Sequence, residues 1–349
     1  MAHSPALSAH ESWRDPLNGA LFVGLFAAAV VQLAAIPAIR NLGFSPLVLG
    51  IVLGMLYGNV VRSPHTAGWN HGVHWCARRL LRIAVAVYGL NISFQQIASV
   101  GASGLIVSVT MVVSTLMIGS WLGRRWLGLD RETAMLTAAG SAICGAAAVL
   151  AFESTLRNAP HKSAVAVATV VLFGTISMFL YPVVYQLGWL PLDAHGWGLM
   201  VGGTVHEVAQ VVAAGSAMSD HTLEVATIVK MTRVALLIPV LLILGIWLRR
   251  RLSAEGTGTE GAGSKIPVPW FLLGFLAFAG LNSLDVLAPQ VLTAARQLDV
   301  FALTMAMTAL GMETRFAQIR SAGPRALALA GSLYAWLLIG GYLTTVWVS

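Results

Sequence analysis

The stretch GGTVHEVAQVVAAG, Gly202 to Gly215, decides how this chain is read. His206 and Glu207 stand side by side in it, with Gln210 three residues on, and both flanks are almost purely apolar. A glycine pair followed by threonine is a helix breaker followed by a favoured N-cap residue. Thr204-Val-His-Glu207 has the S/T-x-x-E/Q form of a capping box. The stretch therefore predicts one helix ending at Gly202-Gly203 and a second starting at Thr204. His206 and Gln210, four residues apart, share a face of the second helix.

The apolar flanks continue over the whole chain. Its 349 residues are 57% hydrophobic and 10% charged, with a mean hydropathy of +0.78, whereas soluble domains carry about 25% charged residues. Runs of bilayer-spanning length, roughly 18 to 25 residues, fall near 17–37, 45–61, 79–98, 101–123, 163–187, 222–248, 268–284, 299–316 and 325–347. Two more apolar segments, 131–156 and 194–218, are interrupted by glycines and polar residues. The pattern predicts an all-α polytopic membrane protein of about nine to eleven segments. A cytoplasmic tail, 1–16, precedes a single membrane domain, 17–347, whose halves cover about 17–187 and 194–347. The polar, Gly-rich stretch 249–267 is the one obvious linker. The run Leu17 to Pro37 exceeds a signal-peptide core and reads as a retained helix. Cys76 and Cys144 provide no disulfide framework.

The net charge of +7 matters by its placement and is no nucleic-acid signal. Lys and Arg gather at Arg78, Arg79 and Arg82, at Arg124, Arg125 and Arg131, at Arg249 to Arg251 with Lys265, and at Arg315, Arg320 and Arg325. The positive-inside rule places all four clusters and the N-terminus in the cytoplasm. The loops at 99–103, 220–222 and 282–290 lack Lys and Arg and face outward.

The chain also repeats itself. GLNISFQQIASVGASGL from Gly89 matches GMETRFAQIRSAGPRAL from Gly311 at a constant offset. Gly89, Phe94, Gln96, Ile97, Ser99, Gly101 and Leu105 recur as Gly311, Phe316, Gln318, Ile319, Ser321, Gly323 and Leu327. The first copy turns outside and the second inside, which makes the repeat inverted, a layout common in secondary transporters. A weaker echo relates MLTAAGSAICGAAAVLA (Met135 to Ala151) to LMVGGTVHEVAQVVAAG (Leu199 to Gly215), with Gly140-Ser141 against Gly203-Thr204. Gly140-Ser141 then predicts a second helix break, with Gly145 adding slack. Broken backbone inside a bilayer needs cover from protein or a water-filled cavity. Broken helices place substrate sites near the midplane, where half-helix N-termini attract anions. Two layouts stay open, re-entrant hairpins and unwound full crossings, and the charges around Arg157, His161 and Lys162 lean toward hairpins.

Each polar group has a bland reading beside a functional one. Glu207 is a capping carboxylate or a proton carrier; an ionisable group inside a membrane is costly and functional by default. His206 is a proton site or a satisfied structural histidine. Lys230 and Arg233, one turn apart, need a partner; Glu207 is a candidate, and an electrostatic lure for an anion is the alternative. Cys144 is a small filler at the break or a lining residue. Asn91 and Glu313 read as structural. HEVAQ is not a zinc-protease motif, because H-E-x-x-H needs a second histidine where Gln210 stands. No G-x-S-x-G, phosphate loop or dinucleotide fingerprint appears; no metal, cofactor or enzymatic role is expected.

The segments AAGSAICGAAAVLA, ATVVLFGTISMFLYP, GGTVHEVAQVVAAG and ATIVKMTRVALLIPV, with LLRIAVAVYGLNISFQQI and MAMTALGMETRF, resemble the signatures of the sulfate exporter family, the YeiH-like bacterial inner-membrane proteins. The resemblance runs from about Pro46 to Gly341. It implies a multi-pass inner-membrane transporter of sulfate or a related anion. It points to Gly140, Ser141, Cys144 and Gly145 in one motif and to Thr204, His206, Glu207 and Gln210 in the other. The combined expectation is an elevator-like carrier, often a homodimer. Backbone N–H groups after Ser141 and Thr204, with the side chains of Ser141, Thr204, His206 and Gln210, hold an oxyanion. Lys230 or Arg233 balances its charge, and Glu207 with His206 couples protons. The alternatives are a cation/proton antiporter using Glu207, an intramembrane enzyme using His206 and Glu207, and a channel.

Overall fold

The computed structural model describes residues 14–36, 45–61, 69–156, 160–254, 270–317 and 322–349. Among them there is no strand. The helices are α1 (Arg14–Ala35), α2 (Pro46–Leu56, prolonged by a π turn, Tyr57–Val61), α3 (Asn70–Trp75), α4 (Leu81–Val87), α5 (Phe94–Arg125), α6 (Arg131–Ala142), α7 (Ala146–Leu156), α8 (Pro160–Gln186), α9 (Ala194–Thr204), α10 (Val208–Ser216), α11 (Asp220–Ala235), α12 (Leu237–Ala254), α13 (Trp270–Ser283), α14 (Pro289–Glu313) and α15 (Pro324–Val348). A π turn, Cys76–Leu80, joins α3 to α4, and a 3-10 turn, Tyr88–Asn91, closes α4.

Among the described residues, five helical stretches are long and apolar enough to cross a membrane: Leu17–Ala35, Phe94–Arg125, Lys162–Gln186, Asp220–Leu248 and Pro324–Val348. Shorter apolar helices cover Pro46–Val61 and Trp270–Ser283. Large apolar side chains such as Leu25 and Trp347 are exposed on these helices, as a lipid-facing surface requires. Three expected spans change their bounds; the one expected at 299–316 already begins at Pro289 and ends at Glu313, as α14. The span expected at 79–98 ends at Asn91, and the next begins at Phe94 rather than 101. The reason is local: Ser93 Oγ accepts from Gln96 N (3.2 Å) while Gln96 Oε1 accepts from Ser93 N (2.6 Å), a reciprocal cap that starts a helix there. The expected linker is helical to Ala254; its remainder, with Arg157, Lys265 and Arg320, lies outside the described residues.

The inverted repeat holds at the level of single hydrogen bonds. Asn282 Nδ2 donates to Ile92 O (3.2 Å) and Asn59 Nδ2 to Thr314 O (2.8 Å). Phe94 N donates to Ser283 Oγ (2.7 Å) and Phe316 N to Asn59 Oδ1 (3.1 Å). The offset that carries Gly89 onto Gly311 also carries Ile92 onto Thr314 and Phe94 onto Phe316. Each copy is thus fastened to a helix of the other half, the first to α13 and the second to α2, as a two-fold relation demands.

Packing sorts the helices into two bodies. In one, α14 lies on α2, α4 on α13, and α1 on α3 and α14. In the other, α9 and α10 pack on α11, α6 on α5 and α8, and α15 on α5 and α6. The main contacts across are α10 with α2 and α4, and α13 with α5 and α11.

Both interrupted segments are re-entrant hairpins. A continuous helix over 131–156 would separate its ends by about 39 Å. Lys162 Nζ, however, lies 2.9 Å from Asp130 Oδ1 and 2.8 Å from Glu132 Oε2, and the six residues from Leu156 to Lys162 reach at most about 20 Å. So α7 returns to the side where α6 began. In the second segment, Thr222 Oγ1 donates to Ala194 O (3.1 Å) at the start of α9. Gly215, near the end of α10, abuts Leu223 in the same turn of α11. Start and end of that hairpin therefore meet the same helix end.

Candidate functional site

The hairpin tips lie at Ile143–Gly145 and Val205–Glu207. This corrects the breaks expected at Gly140-Ser141 and Gly202-Gly203. Those residues stay helical because they serve packing: a Cβ on Gly140 would strike Val170 and Val149, and one on Gly202 would strike Ala226 and Val229 of α11. The stop in the first hairpin is Gly145, at φ +72°, whose N–H reaches back to Gly140 O (3.0 Å), a left-handed helix ending.

Thr204 does not cap α10. It ends α9, donating from Oγ1 to Met200 O (2.6 Å) and accepting from the Tyr181 hydroxyl (2.6 Å). The N-cap is Glu207, and Gln210 Oε1 accepts from its N–H (3.1 Å). The expected capping box is thus shifted along the chain, from Thr204/Glu207 to Glu207/Gln210. The Glu207 side chain crosses to the other hairpin, where Oε1 accepts from Ala146 N, the first N–H of α7, at 3.2 Å.

Lys230 and Arg233 do not pair with Glu207. Lys230 Nζ donates to Ile143 O (2.8 Å), Val205 O (2.8 Å) and His206 O. Arg233 donates to Ser141 O (3.1 Å), Ala142 O, Gly202 O (3.2 Å) and Val205 O (3.1 Å). Both are fully buried. They neutralise the carbonyl ends of α6 and α9, where helix dipoles are negative and orphan acceptors need donors. All three Lys230 donors have partners, so a charge this deep is satisfied.

The opposite ends of the tips face a cavity of about 1220 Å³ lined by residues of both bodies. Ala146 and Ala147 from the first turn of α7, Val208 and Ala209 from that of α10, Cys144 and Glu207 form its inner end. Arg78, Arg82, His71, His74, Arg315 and Glu313 line it from the first body, and Glu153 from the second. His74 Nδ1 lies 2.9 Å from Glu313 Oε1. Of the residues singled out in sequence, Cys144 and Glu207 reach this cavity. Ser141, Thr204, His206, Gln210, Lys230 and Arg233 are buried behind it, and Gly140 and Gly145 do not line it. Both ring nitrogens of His206 and the Ser141 hydroxyl lack partners among the described residues. Sequence reasoning used Arg78, Arg82 and Arg315 for orientation and missed them as cavity walls. The available signal was the i, i+4 spacing of Arg78 and Arg82 on one helical face.

Similarity to known proteins places the chain in a family. Residues 18–330 match the family model described as conserved hypothetical protein 698. This chain belongs to that family, the YeiH-like membrane proteins. A UPF0324 membrane protein of Bordetella pertussis is 70% identical over 330 residues, 95% of this chain and 94% of the relative. One from Pseudomonas putida is 61% identical over 345 residues, 99% and 97% of the two chains. A Bacteroides thetaiotaomicron relative is 44% identical over 329 residues, 93% and 96%. No solved structure matches this YeiH-like chain. The relatives' names say membrane protein and specify no solute.

Proposed function

We propose that this YeiH-like protein is a secondary carrier of a small anion in a bacterial inner membrane, with sulfate or a related oxyanion as the first substrate to test. One observation carries the reading: a carboxylate, that of Glu207, already sits on the first N–H of α7 at the inner end of the cavity. The two half-helices begin there, and helix N-termini favour anions. Their partners α6 and α9 end on the far side, and Lys230 and Arg233 occupy those carbonyls. A cation at the tips would find few free acceptors and two buried positive charges. In this reading a substrate anion takes the place that Glu207 holds, and a proton on Glu207 releases that place, which couples the two. With the arginine-bearing side in the cytoplasm, the cavity opens to the cytoplasm.

The rival transport reading, a cation/proton antiporter, draws on three carboxylates lining the same cavity, Glu153, Glu207 and Glu313. The enzyme reading is weaker, since His206, the base it would pair with Glu207, does not line the cavity. The deciding experiment is counterflow of labelled sulfate into proteoliposomes preloaded with unlabelled sulfate. An overshoot competed by sulfite or thiosulfate supports the anion carrier. Folded, inserted protein that shows no overshoot with sulfate or other small anions, but exchanges sodium for protons, replaces it with the antiporter.

A further inference from the structure

We propose that Gly101 and Gly323 are a matched pair of hinges, about which the body holding both hairpins moves against the body formed by α1–α4, α13 and α14. The proposal concerns movement and stands whatever the solute is.

The chain passes between the two bodies at three places: from α4 to α5, from α12 to α13 through residues outside the described set, and from α14 to α15. The first and third are copies of one another in the repeat. Each begins firmly tied to the first body, by Asn282 and Ser283 at Ile92 and Phe94, and by Asn59 at Thr314 and Phe316. Each ends in a long helix of the second body. Between anchor and helix stands a glycine with positive φ, Gly101 at +30° and Gly323 at +82°. The two occupy the same position in their copies of the repeat.

Packing does not explain these glycines. A Cβ at either position would meet nothing within 4 Å. What requires glycine is the backbone, because L side chains are strained at such φ. Gly101 breaks the helical dihedrals inside an otherwise continuous α5 (ψ −120°). The surroundings change body at the same points. Before Gly101, the Phe94 ring lies against Gly280 of α13; after it, Gly104 approaches Val229 of α11. Before Gly323, Phe316 is held by Asn59; after it, Leu329 lies beside Gly123 of α5.

Two hinges at opposite faces let one body slide and tilt along the other, whereas a single hinge would open it like a door. The cavity walls are split between the bodies, Arg78 and Glu313 on one and Cys144 and Glu207 on the other. Movement at the hinges therefore shifts Glu207 relative to its basic surroundings. That is the behaviour of a carrier, not of a fixed pore.

The test measures distances between paired spin labels in lipid nanodiscs, in a background lacking Cys76 and Cys144. Cysteines at Val183 of α8 and Leu298 of α14 report across the bodies. Val183 with Trp121 of α5, and Leu25 of α1 with Leu298, report within them; all four side chains are exposed. Taken over acid and alkaline buffer, with and without sulfate, the cross-body pair is expected to show two distances and the internal pairs one. Gly101→Ala with Gly323→Ala is expected to remove the second distance and leave the internal pairs unchanged. A cross-body pair as narrow as the internal pairs under every condition overturns the proposal. So does a double variant that keeps both internal distances and both cross-body distances.

Discussion

Glu207 does two jobs with two parts of one residue. Its backbone caps α10, and its carboxylate caps α7 across the gap between the hairpins. Glu207→Gln keeps an oxygen for Ala146 N and loses only the charge. In the proposed mechanism this variant retains anion counterflow and loses uptake driven by a pH gradient, which paired proteoliposome assays would read. Uptake driven by a pH gradient that survives in this variant would remove proton coupling through this residue. Lys230 presents the opposite case, a structural cation. Lys230→Met takes the donor from the carbonyls of Ile143 and His206, while Val205 O keeps Arg233, and a buried polar group left unsatisfied costs about 1–3 kcal/mol. Thermal unfolding in detergent is expected to show a destabilisation of about 2 kcal/mol or more, an effect independent of any substrate.

At the scale of elements, the ends of the helices are set by particular polar contacts. Asn59 and Asn282 each hold a linker carbonyl, Thr314 O and Ile92 O, but Asn59 also accepts from Phe316 N, the work that Ser283 does for Phe94 N in the other copy. Alanine at either is expected to cost about 1–2 kcal/mol by loss of its hydrogen bonds, with the larger unfolding shift at Asn59; a larger shift at Asn282 would mean that the first linker bears the greater load. The first hairpin opens at Asp130, which caps α6 through Thr133 N (3.0 Å) and holds Lys162. Partial burial alone would raise its carboxyl, but the Thr133 hydroxyl and N–H and the Lys162 ammonium outweigh that and bring it from 3.8 to about 2. A carboxyl lowered on folding stabilises fully above its unfolded value. That contribution fades as pH falls below 3.8 and is gone below about 2. Asp130→Asn should therefore lower the melting temperature at neutral pH and converge with the unmutated protein in acid. Equal differences at both pH values would remove the charge from the explanation.

For the molecule as a whole, sidedness and movement are the testable properties. The cavity opens beside His71, His74 and Arg78, and Arg78 belongs to a cluster that the positive-inside rule assigns to the cytoplasm. A cysteine at His71 is expected to react with a membrane-impermeant thiol reagent in inside-out vesicles and not in intact spheroplasts. The reverse pattern would invert the topology and make the described state outward-facing. The division into two bodies was not legible in the chain, because a body is defined by which helices touch. The contact of α4 with α13, for example, joins helices from opposite halves of the chain.

The amino-acid sequence by itself determined a helical membrane protein, two interrupted segments, and an inverted repeat that relates Gly89 to Gly311. Each follows from local or periodic signals: apolar runs of bilayer length, glycines beside polar residues, and matching Gly, Phe, Gln and Ser. It also singled out Glu207, because a carboxylate in such surroundings is costly. Tertiary structure alone decided where the helices break. Gly140 and Gly202 look like breakers in one dimension, yet they serve close packing, and the tips fall later, at Ile143–Gly145 and Val205–Glu207. Tertiary structure also decided what Lys230 and Arg233 face. A buried cation needs acceptors, and only folding brings the C-terminal ends of α6 and α9 together to supply backbone carbonyls in place of the expected carboxylate.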